Sequence, residues 1–151
     1  MTNIAKNYIV AFTFPYQNLT MPIKNLLSIE AYELLEQNSD NSTLIDVRTE
    51  EELKIFGVPD VKSEQFLFLS WRINPDMSIN ANFSEFFSQN FTNFDQHMLF
   101  LCASGVRSKE SSEMIHNNYG FKNCYNIIDG FTGSLNGAGW KNYNLPFKQF
   151  N

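Results

Sequence analysis

The segment that most constrains the fold is His97-Met-Leu-Phe-Leu101, four of whose five residues are apolar, followed at once by Cys102-Ala103-Ser104-Gly105-Val106-Arg107-Ser108. A continuous apolar run this short, flanked by turn and helix signals, reads as a central strand, and such strands belong to parallel sheets covered by helices. The neighbouring segments agree. Ser28 is placed as the N-cap of a helix with the apolar stripe Ile29, Ala31, Tyr32, Leu34 and Leu35, ending near Asn38 to Asn41. Thr43 to Val47 reads as a strand carrying Asp46. Thr49 then opens a helix over Glu50 to Phe56, which Gly57 ends. Gln65 to Leu69 is another strand, and Phe83, Phe86, Phe87 and Phe91 lie at helical spacing. Ser108 to Tyr119 reads as a helix closed by Gly120, Cys124 to Ile128 as a fourth strand, and Trp140 begins a short helix or turn ending at Leu145-Pro146. Strands alternating with helices define an α/β protein with a mostly parallel central sheet flanked by helices.

With 151 residues, 43% apolar and 18% charged, the chain suits one soluble domain, and its 15 Phe point to a core built around that residue. A net charge of −5 lacks the basic footprint of a protein that binds nucleic acid or an anionic membrane surface. No run approaches the ~20 apolar residues that cross a bilayer. Lys6 followed by Tyr8 to Phe14 faintly resembles a signal peptide, but Pro15 interrupts it and no small-residue cleavage site follows, so a cytoplasmic location is expected. The two cysteines, Cys102 and Cys124, form neither a disulfide framework nor a zinc-spaced cluster, and no metal or organic cofactor is expected. His97 and His116 read as structural or surface residues, and Trp71 and Trp140 as core or pocket wall.

In a parallel α/β sheet, ligands gather beyond the carboxyl ends of the strands, where Cys102 falls. A cysteine between a buried strand and a helix can have loop N–H groups converging on its sulfur. The helix adds its positive end, and both favour the thiolate. Gly105 supplies a residue able to adopt φ > 0, and Arg107 a fixed cation with a fork of donors suited to an anionic substrate or leaving group. A lone cysteine in such a place is otherwise a buried structural thiol.

Cys102 through Ser108 resembles the active-site loop of the rhodaneses, C-R-x-G-x-R-S. Leu44-Ile-Asp-Val-Arg48 with Thr49-Glu-Glu-Glu-Leu53 is similar to that family's D-V-R-x-x-x-E segment, and Gly57-Val-Pro-Asp60 stands where the family has G-H-I-P-G. Tyr119 to Asn126, Asp129-Gly-Phe-Thr-Gly133 and Gly139-Trp140 with Leu145-Pro146 resemble its later motifs. The resemblance covers residues 22–148, leaving residues 1–21 as an extension and 149–151 as a tail. Two departures stand out: Ala103 replaces the usual basic loop residue, and Val58 the usual His.

The resemblance implies a three-layer rhodanese-like fold and a sulfurtransferase. Cys102 would take sulfur from a donor as a persulfide and pass it to a thiol, a cyanide-like nucleophile or a sulfur-relay protein. Ser104, Gly105 and Val106 would contribute amides, and with Ala103, Arg107 and Ser108 would form the substrate-binding loop. Loss of the cation at Ala103 implies weak thiosulfate activity or another donor. The alternative is a non-catalytic rhodanese-like module for protein interaction or regulation. Tyrosine phosphatases, by contrast, place Arg six positions after the nucleophile, and here Arg107 is five positions on. Asp46 and Arg48 are expected to organise the structure, Arg48 pairing with a carboxylate among Glu50 to Glu52. Cys124 is read as a buried, inert thiol rather than a partner for Cys102.

Overall fold

The structure is a computed structural model that describes residues 22–151. The expectations for residues 1–21 therefore lie outside the described residues. In chain order the elements begin with β1 (Lys24–Leu26), α1 (Ser28–Gln37), β2 (Ser42–Asp46), α2 (Glu50–Phe56), β3 (Val58–Pro59) and β4 (Phe66–Phe68). There follow β5 (Arg72–Ile73), β6 (Ser78–Ile79), α3 (Phe83–Asn90), β7 (His97–Leu101), α4 (Val106–Tyr119), β8 (Asn123–Ile127) and β9 (Phe147–Lys148).

Five strands make one parallel sheet in the order β1-β8-β7-β2-β4, with β7 in the centre as its apolar sequence requires. Its side chains alternate between two cores. Met98, Phe100 and Cys102 face a layer containing Phe83 and Phe87 of α3 and Ile115 of α4. Leu99 and Leu101 face Ala31 and Leu35 of α1, together with Phe131 and Trp140. Phe87 is the hub of the first layer, with ring centroids 4.6 Å from Phe91, 5.3 Å from Phe121 and 5.9 Å from Phe100. Both tryptophans are core residues: Trp71 packs edge-on to Phe83 at 5.0 Å, and the Trp140 indole N–H donates to the Pro146 carbonyl at 2.8 Å.

Two details differ from expectation. The sheet has a fifth strand, β1, in register with β8 from Tyr125 to Ile127. The N-cap of α1 is Leu27 rather than Ser28. Ser28 has moved one place into the helix because its amide and hydroxyl both donate to the buried Asp129 carboxylate, at 2.8 and 2.9 Å. Asp129 also accepts from the Gly139 amide at 3.0 Å, so one carboxylate ties the start of α1 to the chain that wraps the active edge of the sheet.

Candidate active site

Cys102 follows the end of β7 with its side chain buried, 1% exposed. The loop after it is held from behind by the turn at residues 129–133. The Phe131 amide donates to the Cys102 carbonyl at 2.8 Å, and the Thr132 amide and hydroxyl each donate to the Ala103 carbonyl at 3.1 Å. Two glycines permit this approach. Gly105 has φ +94° and lies so close to β8 that a Cβ there would come within 2.4 Å of the Ile128 carbonyl oxygen; at Gly130, φ +66°, a Cβ would come within 2.2 Å of the Ala103 oxygen.

Closing the loop this way brings the Gly105 amide to the Cys102 Sγ, donating at 3.1 Å, at the N-terminal end of the fourteen-residue α4. Ser108 Oγ lies 3.2 Å from the sulfur on the other side. Its proton has a defined destination, the Asn126 Oδ1 at 2.6 Å, because the Asn126 amide nitrogen donates to the Gly105 carbonyl at 3.1 Å and so fixes which end of that side chain accepts. With the Ser108 proton directed to Asn126, the lone pairs of Oγ face the sulfur. Of the other loop residues, Ser104 is exposed and Val106 is 65% exposed, both at the mouth.

Arg107 reaches across to α2. Its two terminal nitrogens donate to the two Glu52 oxygens, each at 2.7 Å. Burial alone would lift the Glu52 carboxyl, but the Arg107 guanidinium and the Thr49 amide outweigh it and hold it down at about 2. Glu52 is fixed in turn by the helix start, accepting from the Thr49 amide at 2.9 Å and the Thr49 hydroxyl at 3.0 Å. Pairing with Glu52 raises Arg107 further above its ordinary range, against the opposing effect of burial.

The expectation that Arg48 pairs with Glu50 to Glu52 is corrected. Arg48 is fully buried and donates to both oxygens of Asp46, at 2.9 and 2.7 Å, and to the Gly57 carbonyl at 2.9 Å. Its guanidinium carbon lies 4.1 Å from the centre of the Phe131 ring. The pair thus joins the end of β2 to the start of β3 beneath the loop, in a structural role. The chain bends just after β2, where the Arg48 backbone amide also donates to Asp46 Oδ1 at 3.2 Å, so the guanidinium meets its near neighbour before it reaches the helix beyond.

Cys124 sits in β8 opposite Met98, four residues before Cys102 along β7 and therefore roughly 13 Å away in the strand direction. That separation forbids a disulfide without backbone movement. Burial pushes the Cys124 thiol up to about 12, so it is an inert core residue. The histidines also serve structure: His97 Nδ1 shares a hydrogen bond of 2.9 Å with the Tyr125 hydroxyl, and His116 Nδ1 lies 2.7 Å from the Phe121 carbonyl oxygen. Sequence reasoning missed Asn126 and Glu52. The signals were present, as a polar residue inside the apolar strand Cys124-Tyr-Asn-Ile-Ile128 and as the Thr49-x-x-Glu52 spacing that marks a capping box.

Comparison with known proteins places this geometry in context. A model of the Rhodanese-like domain matches residues 30–136, from α1 through the turn that braces the Cys102 loop. An uncharacterized protein of Rickettsia rickettsii, the RP600 homolog, is 42% identical over 129 residues, which span 85% of this chain and 99% of that protein. The crystal structure of Rv0390 from M. tuberculosis superposes with a TM-score of 0.72 at 29% identity, covering 86% of this chain and all of that one. The polysulfide-sulfur transferase homodimer from Wolinella succinogenes superposes with a TM-score of 0.65 at 24% identity over 98% of this chain and 94% of its own, a likeness of fold. With the five-stranded parallel sheet, the cysteine loop at its carboxyl edge and a family model that spans both, this chain belongs to the rhodanese-like domain family.

Proposed function

We propose that the protein is a sulfurtransferase that carries sulfane sulfur on Cys102. The observation that supports this most directly is the placement of Sγ at the carboxyl end of the central strand, with the Gly105 amide donating to it and the head of α4 behind it. An anion at this position gains from the amide dipole and from the helix terminus together.

In the first half-reaction the Cys102 thiolate attacks the outer sulfur of a donor. A sulfur–sulfur bond to Cys102 forms, the donor's bond to that sulfur breaks, and the electron pair leaves with the remainder as a thiolate or sulfite. In the second, a nucleophile attacks the terminal sulfur and the Cys102 thiolate is released unchanged. Dividing the transfer in this way is covalent catalysis. Ser108 assists by turning its hydroxyl from Asn126 toward the sulfur when negative charge develops there. Asp46 and Arg48 hold the platform.

The test is intact mass after incubation with thiosulfate and, separately, with a low-molecular-weight persulfide, for the wild type and Cys102→Ser. Gain of one sulfur atom in the wild type, absent in the variant and removed by cyanide, supports the proposal. Failure to load from either donor overturns it and leaves the chain as a binding module of the same fold.

A further inference from the structure

We propose that the cavity at the amino edge of the sheet, between the end of α1 and the residues leading into β4, binds a small primary alkylammonium ion. This site is independent of the chemistry at Cys102. The cavity has a volume of about 240 Å³. Leu35 and Gln65 form its buried end, Tyr32 and Val61 its sides, and Glu36, Asp60 and Lys62 its exposed rim. Gln65 touches Ser42, where β2 begins, whereas the Cys102 edge lies at the other end of that strand, roughly 13 Å along it.

Gln65 decides what the cavity accepts. The residue is 4% exposed, and its amide nitrogen donates to the Leu35 carbonyl at 2.9 Å and to Ser42 Oγ at 2.8 Å. The orientation of the amide is fixed, because neither partner can donate in return. A carbonyl has no proton, and the single Ser42 proton goes to the Asn38 carbonyl at 2.6 Å. The Gln65 oxygen is therefore the end left to face the cavity, with no donor among the described residues and with solvent access retained. A buried acceptor left open in this way calls for an N–H or O–H from outside the chain.

The surroundings select a cation. Glu36 and Asp60 set two carboxylates against the one ammonium of Lys62, which leaves the rim with one negative charge. α1 ends beside it with no basic residue in its last turn, so the negative end of the helix dipole is unanswered. The Tyr32 hydroxyl donates to Glu36, which holds that carboxylate beside the aromatic wall. Asp60 meets Lys148 at 3.4 Å, but both side chains are more than half exposed, and so loose a pair leaves the carboxylate able to receive a second cation. Asp60 is also a departure of this chain, standing where the motif of its relatives ends in glycine. An N–H for Gln65, one positive charge for the rim and a short apolar stem for Tyr32, Leu35 and Val61 together describe a primary ammonium on a short alkyl chain. A volume below the roughly 300–1,000 Å³ of drug-sized sites limits that chain to a few carbons.

The probe is n-butylammonium chloride, titrated at low salt into the isotope-labelled full chain. It is followed by the NMR signals of the Gln65 side-chain amide and of the Ser39 and Val61 backbone. A saturable shift is expected, with a dissociation constant of about 1–10 mM. n-Butyltrimethylammonium keeps the charge and the stem but has no N–H, and it should bind at least about tenfold more weakly, the worth of a hydrogen bond from a charged donor. Glu36→Gln leaves an acceptor for Tyr32 and removes the charge; it should weaken n-butylammonium about two- to fivefold, a difference that shrinks as salt is added. Gln65→Met, similar in length but without the acceptor, should abolish the shifts at Ser39 and Val61. If that variant fails to melt cooperatively, the methylated amine and Glu36→Gln decide the matter. No saturable shift up to about 50 mM, where a millimolar site is filled, overturns the proposal. Equal binding of the trimethylated amine, or a constant unmoved by Glu36→Gln, overturns it as well.

Discussion

Replacing Asn126 by leucine should make Cys102 a faster nucleophile. The substitution removes a polar group from the site, so the usual expectation runs the other way. The reasoning follows the Ser108 proton. That proton is held by Asn126 Oδ1 at 2.6 Å, while the Ser108 oxygen sits 3.2 Å from Sγ. Stabilising negative charge on the sulfur then requires the hydroxyl to turn toward it and give up Asn126. Leucine, close in shape but without an acceptor, removes that competition. The difference equals one buried neutral hydrogen bond, about 0.5–1.5 kcal/mol, which converts to a rate roughly two- to twelvefold higher. The Gly105 carbonyl also loses the Asn126 amide, but it retains the Lys109 N–H at 3.3 Å, so the stability cost should be modest, about 1–2 kcal/mol. The assay is the rate of alkylation of Cys102 by iodoacetamide at fixed pH, read by intact mass, with Cys102→Ser as the blank and a cooperative melt required. The same substitution in a Ser108→Ala background closes a double-mutant cycle and should give no change in rate. A rate that stays or falls in a folded Asn126→Leu protein, or a rise that persists without the Ser108 hydroxyl, refutes the proton-switch reasoning.

Four further outcomes follow from the geometry. Gly105→Ala, with a left-handed backbone and a Cβ within 2.4 Å of the Ile128 oxygen, should cost about 2–4 kcal/mol in urea unfolding, whereas Gly120→Ala, with φ +77° and open space around it, should cost only about 1–2 kcal/mol for the backbone conformation. Arg48→Met leaves Asp46 buried without its guanidinium and should lower stability by about 3–5 kcal/mol, read by the same unfolding curves. Glu52 is held at about 2 against an ordinary value of 4.5, so its contribution is fully present above pH 4.5 and is lost as the pH falls toward 2; the loss should be about 2–3 kcal/mol in acid titration of stability and absent in Glu52→Gln. Cys124→Ala should keep Cys102 sulfur loading and lose about 1–2 kcal/mol of stability, since it removes a buried sulfur from the core far from the loop.

How much of this was legible in the sequence depended on the range of the interaction. The strand His97–Leu101 is legible to the residue because burial on both faces leaves a continuous apolar run, and the helix at Glu50 because its cap and first-turn carboxylates are local signals. The edge strand Lys24–Leu26 was not visible. It is three residues long and half exposed, and it exists because β8 offers a parallel partner a hundred residues later. Ser28 was misplaced by one position for the same reason, since its true partner, Asp129, is 101 residues away. In the site, the nucleophile and its loop were read from seven consecutive residues. The partner of Arg107 was not, because Glu52 lies 55 residues earlier and looked like one of three equivalent carboxylates favouring a helix start. Only the fold reveals that one of the three turns inward.

The bracing of the loop from behind has a consequence for how its field responds to the medium. The carbonyls of Cys102 and Ala103 are drawn away by Phe131 and Thr132, so their lone pairs cannot turn toward the sulfur. What touches Sγ is a set of dipoles locked in place by peptide geometry, while the Arg107 charge stands farther off and is paired with Glu52. Mobile ions screen separated charges over a Debye length of about 8–10 Å, but they do not enter a contact of bonded dipoles. The reactivity of Cys102 should therefore depend less on ionic strength than that of a cysteine activated chiefly by an unpaired neighbouring cation.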